Sequence, residues 1–239
     1  MTHVHRVHLI QLAGGTGSRA LRGGDDTPKQ FRRAGGRLLL EVSLNEFLTG
    51  LEPSLEIASV TVVVADAWRQ RVETILHSLP VAWQLAGAGS TRTGSTWNAV
   101  QALEASESPG DDDLVAVHDA ARPFATVSLL AGLAAAADRS GAAVPGVRVA
   151  DTILRRRDGG SAEYLHRDAL VAVQTPQVFR WRPFVDAHRW AADQRVSFTD
   201  DGGLLAARGH EAVVVDGEPG NWKVTSAADW ERALDLLEA

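Results

Sequence analysis

Short apolar runs at residues 7–13, 60–65, 81–85, 114–117, 142–145 and 212–216 alternate with stretches of a different period. At 38–48, 67–79, 95–107 and 127–137 the apolar residues recur every three or four positions. Runs too short for helices, separated by amphipathic helices, read as β-α-β units. They predict an α/β fold, Rossmann-like, with a mostly parallel sheet flanked by helices. At 239 residues the chain fits one domain, 1–239. Ser226 predicts a helix N-cap, and Trp230, Ala233, Leu234 and Leu237 then fall on one face, so a last helix is expected to dock on the sheet. Residues 147–167 break the rhythm. Two extended runs flank Asp158-Gly159-Gly160, a hairpin turn signal, and Arg155, Arg156 and Arg157 do not suit a buried strand. This segment predicts a projecting β-arm that meets a second subunit.

The first apolar run ends at Gly14-Gly15-Thr16-Gly17, with cations following at Arg19 and Lys29. A strand that stops in a glycine turn exposes several backbone N–H groups at one point, which makes a cradle for phosphate oxygens. Arg19 and Lys29 add charge that backbone dipoles cannot supply, so the loop reads as a nucleoside triphosphate site. Gly15 to Ala20 also matches the loose dinucleotide pattern, but the next apolar run is helical in spacing and brings no second strand ending in an acid. No Gly-Lys-Ser/Thr follows, so the Walker pattern fails.

Composition narrows the classes. The net charge of −6 argues against sequence-independent nucleic-acid binding, while one local cationic cluster is enough for a nucleotide. The absence of cysteine removes disulfides, thiolate catalysis and Cys-ligated zinc. No run approaches the ~18 apolar residues of a membrane span, and no leader-like segment opens the chain, so a cytoplasmic location is expected. His3, His5 and His8 have no carboxylate at metal-type spacing and read as a solvated start.

Beyond the glycine loop, Arg19 and Pro28-Lys29-Gln30-Phe31 lie Gly89-Ser90-Thr91-Arg92 with Ser95, then Val117-His118-Asp119-Ala120-Ala121-Arg122-Pro123. Asp151-Thr152-Ile153, Arg167, Gln174-Thr175-Pro176-Gln177, Thr199-Asp200-Asp201 and Asn221-Trp222-Lys223-Val224-Thr225 complete the set. This order resembles the sugar-nucleotidyltransferase superfamily and, within it, the cytidylyltransferases that charge polyol phosphates. It is most similar to the 2-C-methyl-D-erythritol 4-phosphate cytidylyltransferase family of the non-mevalonate isoprenoid pathway, with ribitol-5-phosphate cytidylyltransferases as near relatives.

The resemblance implies attack of a phosphate monoester oxygen on the α-phosphorus of CTP, with release of pyrophosphate. It makes Arg19, Lys29 and Lys223 the catalytic cations. It gives Ala13, Gly14, Gly15 and Gly17, with Gly89, Ser90, Arg92 and Ser95, to the nucleotide. Asp119 becomes the ligand of Mg²⁺, and Thr152, Arg167, Thr175 and Lys223 hold the polyol phosphate. A homodimer formed through the arm would place Thr152 and Arg167 in the partner's site. Ser95 reads equally as a helix N-cap, Asp119 as a cap of the following turn, and Thr152 as an ordinary strand threonine. Gly14 stands where an alanine is usual and Ala20 replaces a methionine. The loop 21–27 carries an extra Gly-Gly-Asp-Asp, and Gly220 replaces an acid, a change for which Glu218 is the nearest substitute. The acceptor, erythritol or ribitol phosphate, stays open.

Overall fold

The computed structural model describes residues 3–15, 27–106 and 109–238, so Gly17 and Arg19 lie outside the described residues. Along the chain come β1 (His5–Leu12), a small hairpin of β2 (Arg33–Ala34) and β3 (Arg37–Leu38), α1 (Leu39–Thr49), β4 (Leu55–Val64), α2 (Arg69–Leu76), β5 (Ala82–Gly87), α3 (Arg92–Ser106) and β6 (Leu114–Asp119). There follow α4 (Val127–Ser140), β7 (Ala142–Arg148), the pair β8 (Leu154–Arg156) and β9 (Ala162–Tyr164), β10 (Val171–Val173) and β11 (Gln177–Arg180). The chain closes with α5 (Trp181–Gln194), α6 (Asp201–Ala206), β12 (Val213–Asp216) and α7 (Ala227–Glu238).

β1 pairs in parallel with β4 on one side and β6 on the other, and β5 extends the parallel run beyond β4. β11 enters antiparallel between β6 and β7, β10 is antiparallel to β7, and β12 is parallel to it. Successive strand residues point to opposite faces, and both faces are apolar here because both are covered. Leu9, Val62, Val64 and Ala116 pack with Leu44, Val72 and Leu130 of α1, α2 and α4. Ile10, Val63, Val115 and Phe179 face the other way, onto Val100, Phe184 and Leu204 of α3, α5 and α6. The caps of α4 are local. Thr126 Oγ accepts from the Leu129 N–H at 3.1 Å, and Gly141 stops the helix at φ 88°.

Several expectations change. The last helix forms and is capped by Ser226, whose Oγ accepts from the Asp229 N–H at 3.2 Å. It does not dock on the sheet, whose faces are already covered. It packs instead with Leu39, Val224, Phe124 and Trp222 in a separate cluster, where Ala233 is its fully buried residue. The histidines are not a solvated start either: His5 and His8 belong to β1, and His8 is fully buried against Ser59 Oγ at 2.8 Å. The hairpin signal at 158–160 holds, since Gly159 and Gly160 take φ of 80° and 85° and β8 pairs with β9 in a sheet of its own. Its arginines are exposed, and Arg155 and Arg157 share Glu163 at 3.4 and 3.0 Å. β11 and α5 go beyond the sequence expectation. Among the described residues no helix is long and apolar enough to cross a membrane.

Candidate active site

Parallel strands bring their carboxyl ends to one edge, where open α/β sheets carry their sites. The loops after β1, β5 and β6 meet there. Gly14 follows β1 at close quarters with the end of β5: a Cβ on it would stand 2.7 Å from Ala88 Cβ. A Cβ on Gly89 would lie 2.6 Å from the Gly94 carbonyl carbon. Glycine is therefore required at Gly14 for the two loops to approach, and at Gly89 for the second loop to close on the first turn of the helix that follows it. Gln30 holds the first loop, its Nε2 donating to the Ala13 and Gly15 carbonyls at 2.8 and 2.6 Å. The N-cap reading of Ser95 is corrected. Helix α3 starts at Arg92, and Thr91 Oγ caps it by accepting from the Gly94 N–H at 2.9 Å. Ser95 sits in the first turn, where its Oγ accepts from the Gly89 N–H at 3.0 Å and fixes the loop. Ser90 is exposed between them.

Asp119 ends β6 and carries the charge of the site. Lys223 Nζ donates to its Oδ2 at 2.6 Å, and Arg92 Nε lies 3.6 Å from its Oδ1. On its far side Arg92 donates to Asp201 Oδ2 at 2.6 Å, and Asp201 Oδ1 is 3.1 Å from His188 Nε2. Burial alone would raise the Asp119 pKa, but Lys223 and Arg92 outweigh it and hold the carboxyl below its ordinary range. Burial likewise opposes the charge on Arg92, yet Asp201 and Asp119 keep its pKa raised. The result is a line of alternating charge from Asp201 through Arg92 and Asp119 to Lys223, open to solvent at the Lys223 end, which is 41% exposed against 1% for Asp201.

The backbone of Asp119 is also fixed. Its N–H donates to Thr175 Oγ at 3.0 Å, and that hydroxyl lies 3.3 Å from His118 Nδ1. Nε2 of His118 reaches the Arg122 carbonyl at 2.9 Å, and Arg122 in turn donates to the Asn221 carbonyl at 2.8 Å. Asn221 Nδ2 donates to the Thr175 carbonyl at 2.9 Å, and Gln174 Nε2 donates to the Glu218 and Asn221 carbonyls at 2.8 and 3.1 Å. Lys223 is thus presented by a loop sewn to the strand end beside Asp119.

Complete burial lowers the His118 pKa from 6.5 to about 4. Folded His118 stays neutral where the unfolded chain takes up a proton, so its contribution to stability is complete above pH 6.5 and lost as pH falls toward 4. The loss over that window is about 3 kcal/mol. Urea denaturation at pH 7 and pH 4.5 is expected to show this slope for the wild type and a shallower one for His118→Gln.

The other expected residues divide into two groups. Lys29 joins the site, its Nζ donating to the carbonyl of Val224 next to Lys223. Thr175 joins it too, buried behind Asp119. Thr152 and Arg167 stand on the chain leading into and out of the hairpin. Both are exposed, and Arg167 donates to the Ala150 carbonyl at 2.6 Å. Glu218 does not take the place of the missing acid at Gly220, because its carboxylate accepts from Thr126 Oγ at 2.5 Å. A Cβ on Gly220 would meet nothing within 4 Å. Gln30, His118, His188 and Asn221 were not read as functional from sequence; burial and long-range bonding give them their roles.

The family model described as IspD: 2-C-methyl-D-erythritol 4-phosphate cytidylyltransferase matches residues 7–239. A bifunctional enzyme IspD/IspF of Bradyrhizobium sp. (strain BTAi1) is 34% identical over 241 residues, which cover 100% of this chain and 58% of that protein. The chain therefore spans somewhat over half the length of the curated relatives it matches. The 2-C-methyl-D-erythritol 4-phosphate cytidylyltransferase of Thermus thermophilus superposes with a TM-score of 0.72 at 30% identity, over 99% of this chain and 100% of that one. The 4-diphosphocytidyl-2C-methyl-D-erythritol synthase of Anaerococcus prevotii shares the fold, with a TM-score of 0.81 at 22% identity over 98% and 97% of the two chains. The likeness takes in the glycine loop, the strand end at Asp119 and the Lys223 loop within one continuous match, and the chain belongs to the 2-C-methyl-D-erythritol 4-phosphate cytidylyltransferase family.

Proposed function

We propose that the chain transfers the cytidylyl group of CTP to 2-C-methyl-D-erythritol 4-phosphate, giving 4-diphosphocytidyl-2-C-methyl-D-erythritol and pyrophosphate. The observation that carries this reading is the Asp119–Lys223 pair, 2.6 Å apart at the carboxyl end of β6, with Lys29 bound to the neighbouring residue. An acceptor phosphate oxygen bonds to the α-phosphorus while the bond to the β-phosphate bridging oxygen breaks, and the electron pair leaves with pyrophosphate. Such a displacement needs in-line positioning and charge stabilisation more than covalent help.

In this reading the Gly14–Gly15 and Gly89 loops offer backbone N–H groups to the nucleotide, and Ser95 keeps the second loop in place. Lys29 and Arg19 stabilise the negative charge that builds on the transferring and leaving phosphates. Lys223 turns from Asp119 to the acceptor phosphate, and Thr175 holds the Asp119 backbone.

The donor set fits Mg²⁺. An ionised carboxylate beside a phosphate cradle gives one hard oxygen and leaves the remaining positions to phosphate oxygens and water. When bound, the ion offsets charge on the triphosphate. Thr152 and Arg167, exposed on the segments that flank the hairpin, act in the site of a second copy of the chain, so the working unit is a homodimer.

Pyrophosphate release with CTP and Mg²⁺ tests the acceptor. Turnover with 2-C-methyl-D-erythritol 4-phosphate and little with D-ribitol 5-phosphate is expected. The reverse preference would move the chain to the ribitol reaction and assign the open space at Gly220 to a different polyol.

A further inference from the structure

We propose that His3, His5 and Asp138 form a binding site for a first-row divalent transition metal ion, at the end of the sheet opposite the nucleotide loops. Each offers one ligand atom, and the three atoms lie within 4.8 Å of one another. His3 Nε2 is 3.6 Å and His5 Nδ1 3.7 Å from the same oxygen, Oδ2 of Asp138. These separations are too long for good hydrogen bonds. They are close to the roughly 3.3 Å expected between ligands that share a tetrahedral ion at bond lengths of about 2.0–2.1 Å.

A second observation points the same way. His5 Nδ1 is buried without a hydrogen-bond partner, facing a carboxylate. With its proton on Nε2, the tautomer in which Nδ1 can ligate, the imidazole sets the Nδ1 lone pair against a negative oxygen, an arrangement that a cation between them relieves. Burial lowers the His5 pKa, which favours the neutral form that a metal requires. The outer partners are also built. Arg180 Nη2 lies 3.7 Å from Asp138 Oδ1 and donates to the Asp138 carbonyl, so the other oxygen is the one turned to the histidines. The charge of Arg180 and that of Arg139 nearby work against a cation. Two imidazoles with one carboxylate nevertheless suit Zn²⁺, Co²⁺ or Ni²⁺ better than Mg²⁺.

The ligands come from the start of the chain, from β1 and from the last turn of α4, so the ion would fasten the amino-terminal strand to that helix. This site is independent of the reaction proposed above. Its chemistry is imidazole-based, whereas Asp119 is a lone hard oxygen ligand at the opposite edge of the sheet.

The test is a calorimetric titration of tag-free, EDTA-stripped protein with ZnCl₂, paired with thermal melts. One equivalent is expected to bind saturably and to raise the melting temperature, and CoCl₂ should give the visible ligand-field bands of a nitrogen- and oxygen-bound ion. His3→Ala, a change at an exposed side chain, and Asp138→Asn should each weaken zinc binding by at least about tenfold. Cytidylyl transfer under Mg²⁺ should be unchanged in His3→Ala. Absence of saturable binding by the wild type would overturn the proposal. Zinc affinity unaltered in both variants would also overturn it, since the ion would then be held elsewhere.

Discussion

Lys29→Ala is expected to lower the rate of cytidylyl transfer by on the order of 10²–10³-fold, with the fold intact. Lys29 opens a short turn whose next two residues are both anchored. Phe31 is 2% exposed and stacks on Trp68 with ring centroids 4.6 Å apart. Gln30 is bonded to the glycine loop. The ammonium is therefore delivered to one place by a rigid support and is bonded to Val224 beside Lys223. A preorganised charge of this kind acts on the charge that develops during transfer more than on ground-state binding, so kcat should fall further than KM rises. Steady-state kinetics at saturating CTP measures it. A loss below about tenfold would remove Lys29 from the chemistry and leave it as a tether for the Lys223 loop.

Asp201→Asn carries the second large effect, on stability. The carboxylate is 1% exposed and is shared by Arg92 at 2.6 Å and His188 at 3.1 Å. Removing its charge leaves a mostly buried guanidinium with Asp119 and the weaker influence of Asp200 as its remaining counter-charges, and breaking a buried pair costs about 3–5 kcal/mol. That is a large share of the roughly 5–15 kcal/mol by which a domain is stable. Urea denaturation is expected to show a loss near the lower bound, because Asp119 stays in place. The paired replacement Arg92→Met with Asp201→Leu should recover most of it, since no charge is then stranded. Recovery of stability without recovery of activity would separate the packing of this line of residues from its work on Asp119. A loss under about 1 kcal/mol would mean that solvent reaches Arg92 and screens it.

Much of the fold was legible because it rests on local periodicity. The central strands β1, β4 and β6 are near-continuous apolar runs, as strands covered on both faces must be, and the helices α1 and α4 have their spacing written in the chain. β11 was not legible. Its only apolar residues are Val178 and Phe179, and it is a strand because β6 and β7 leave a gap for it. Helix α5 carries Trp181, Phe184, Val185, His188 and Ala191 at helical spacing, but a histidine on the buried face and polar residues between them dilute the pattern. The last helix was readable in its cap and face and unreadable in its docking, which depends on what other helices already cover.

The site divides along the same line. The glycine turn and its cation follow from short-range chemistry, so Gly14 and Lys29 could be read from the residues themselves, whereas Gly89, Asp119 and Lys223 were named through the family resemblance; the fold brings all five to one edge of the sheet. The cap of α3 lay within a segment of five hydroxyl residues, Ser90, Thr91, Thr93, Ser95 and Thr96, and only the backbone path selects Thr91. Asp201 stood in a recognisable Thr-Asp-Asp segment, yet its partner Arg92 is 109 residues away in the chain. Roles such as that of His118 come from complete burial and a bond to Arg122, which no local pattern records. Long-range pairing is what sequence reading lacks.

The most direct test of the account follows the α-phosphorus itself. CTP labelled at the α-phosphate is incubated with the protein, Mg²⁺ and 2-C-methyl-D-erythritol 4-phosphate, and the labelled species are separated. Label is expected in a single nucleotide–polyol diphosphate that needs the acceptor, equals the pyrophosphate released, and is nearly lost in Lys29→Ala and Asp119→Asn. Label that leaves CTP only as CMP, or a product that forms undiminished in both variants, would contradict it.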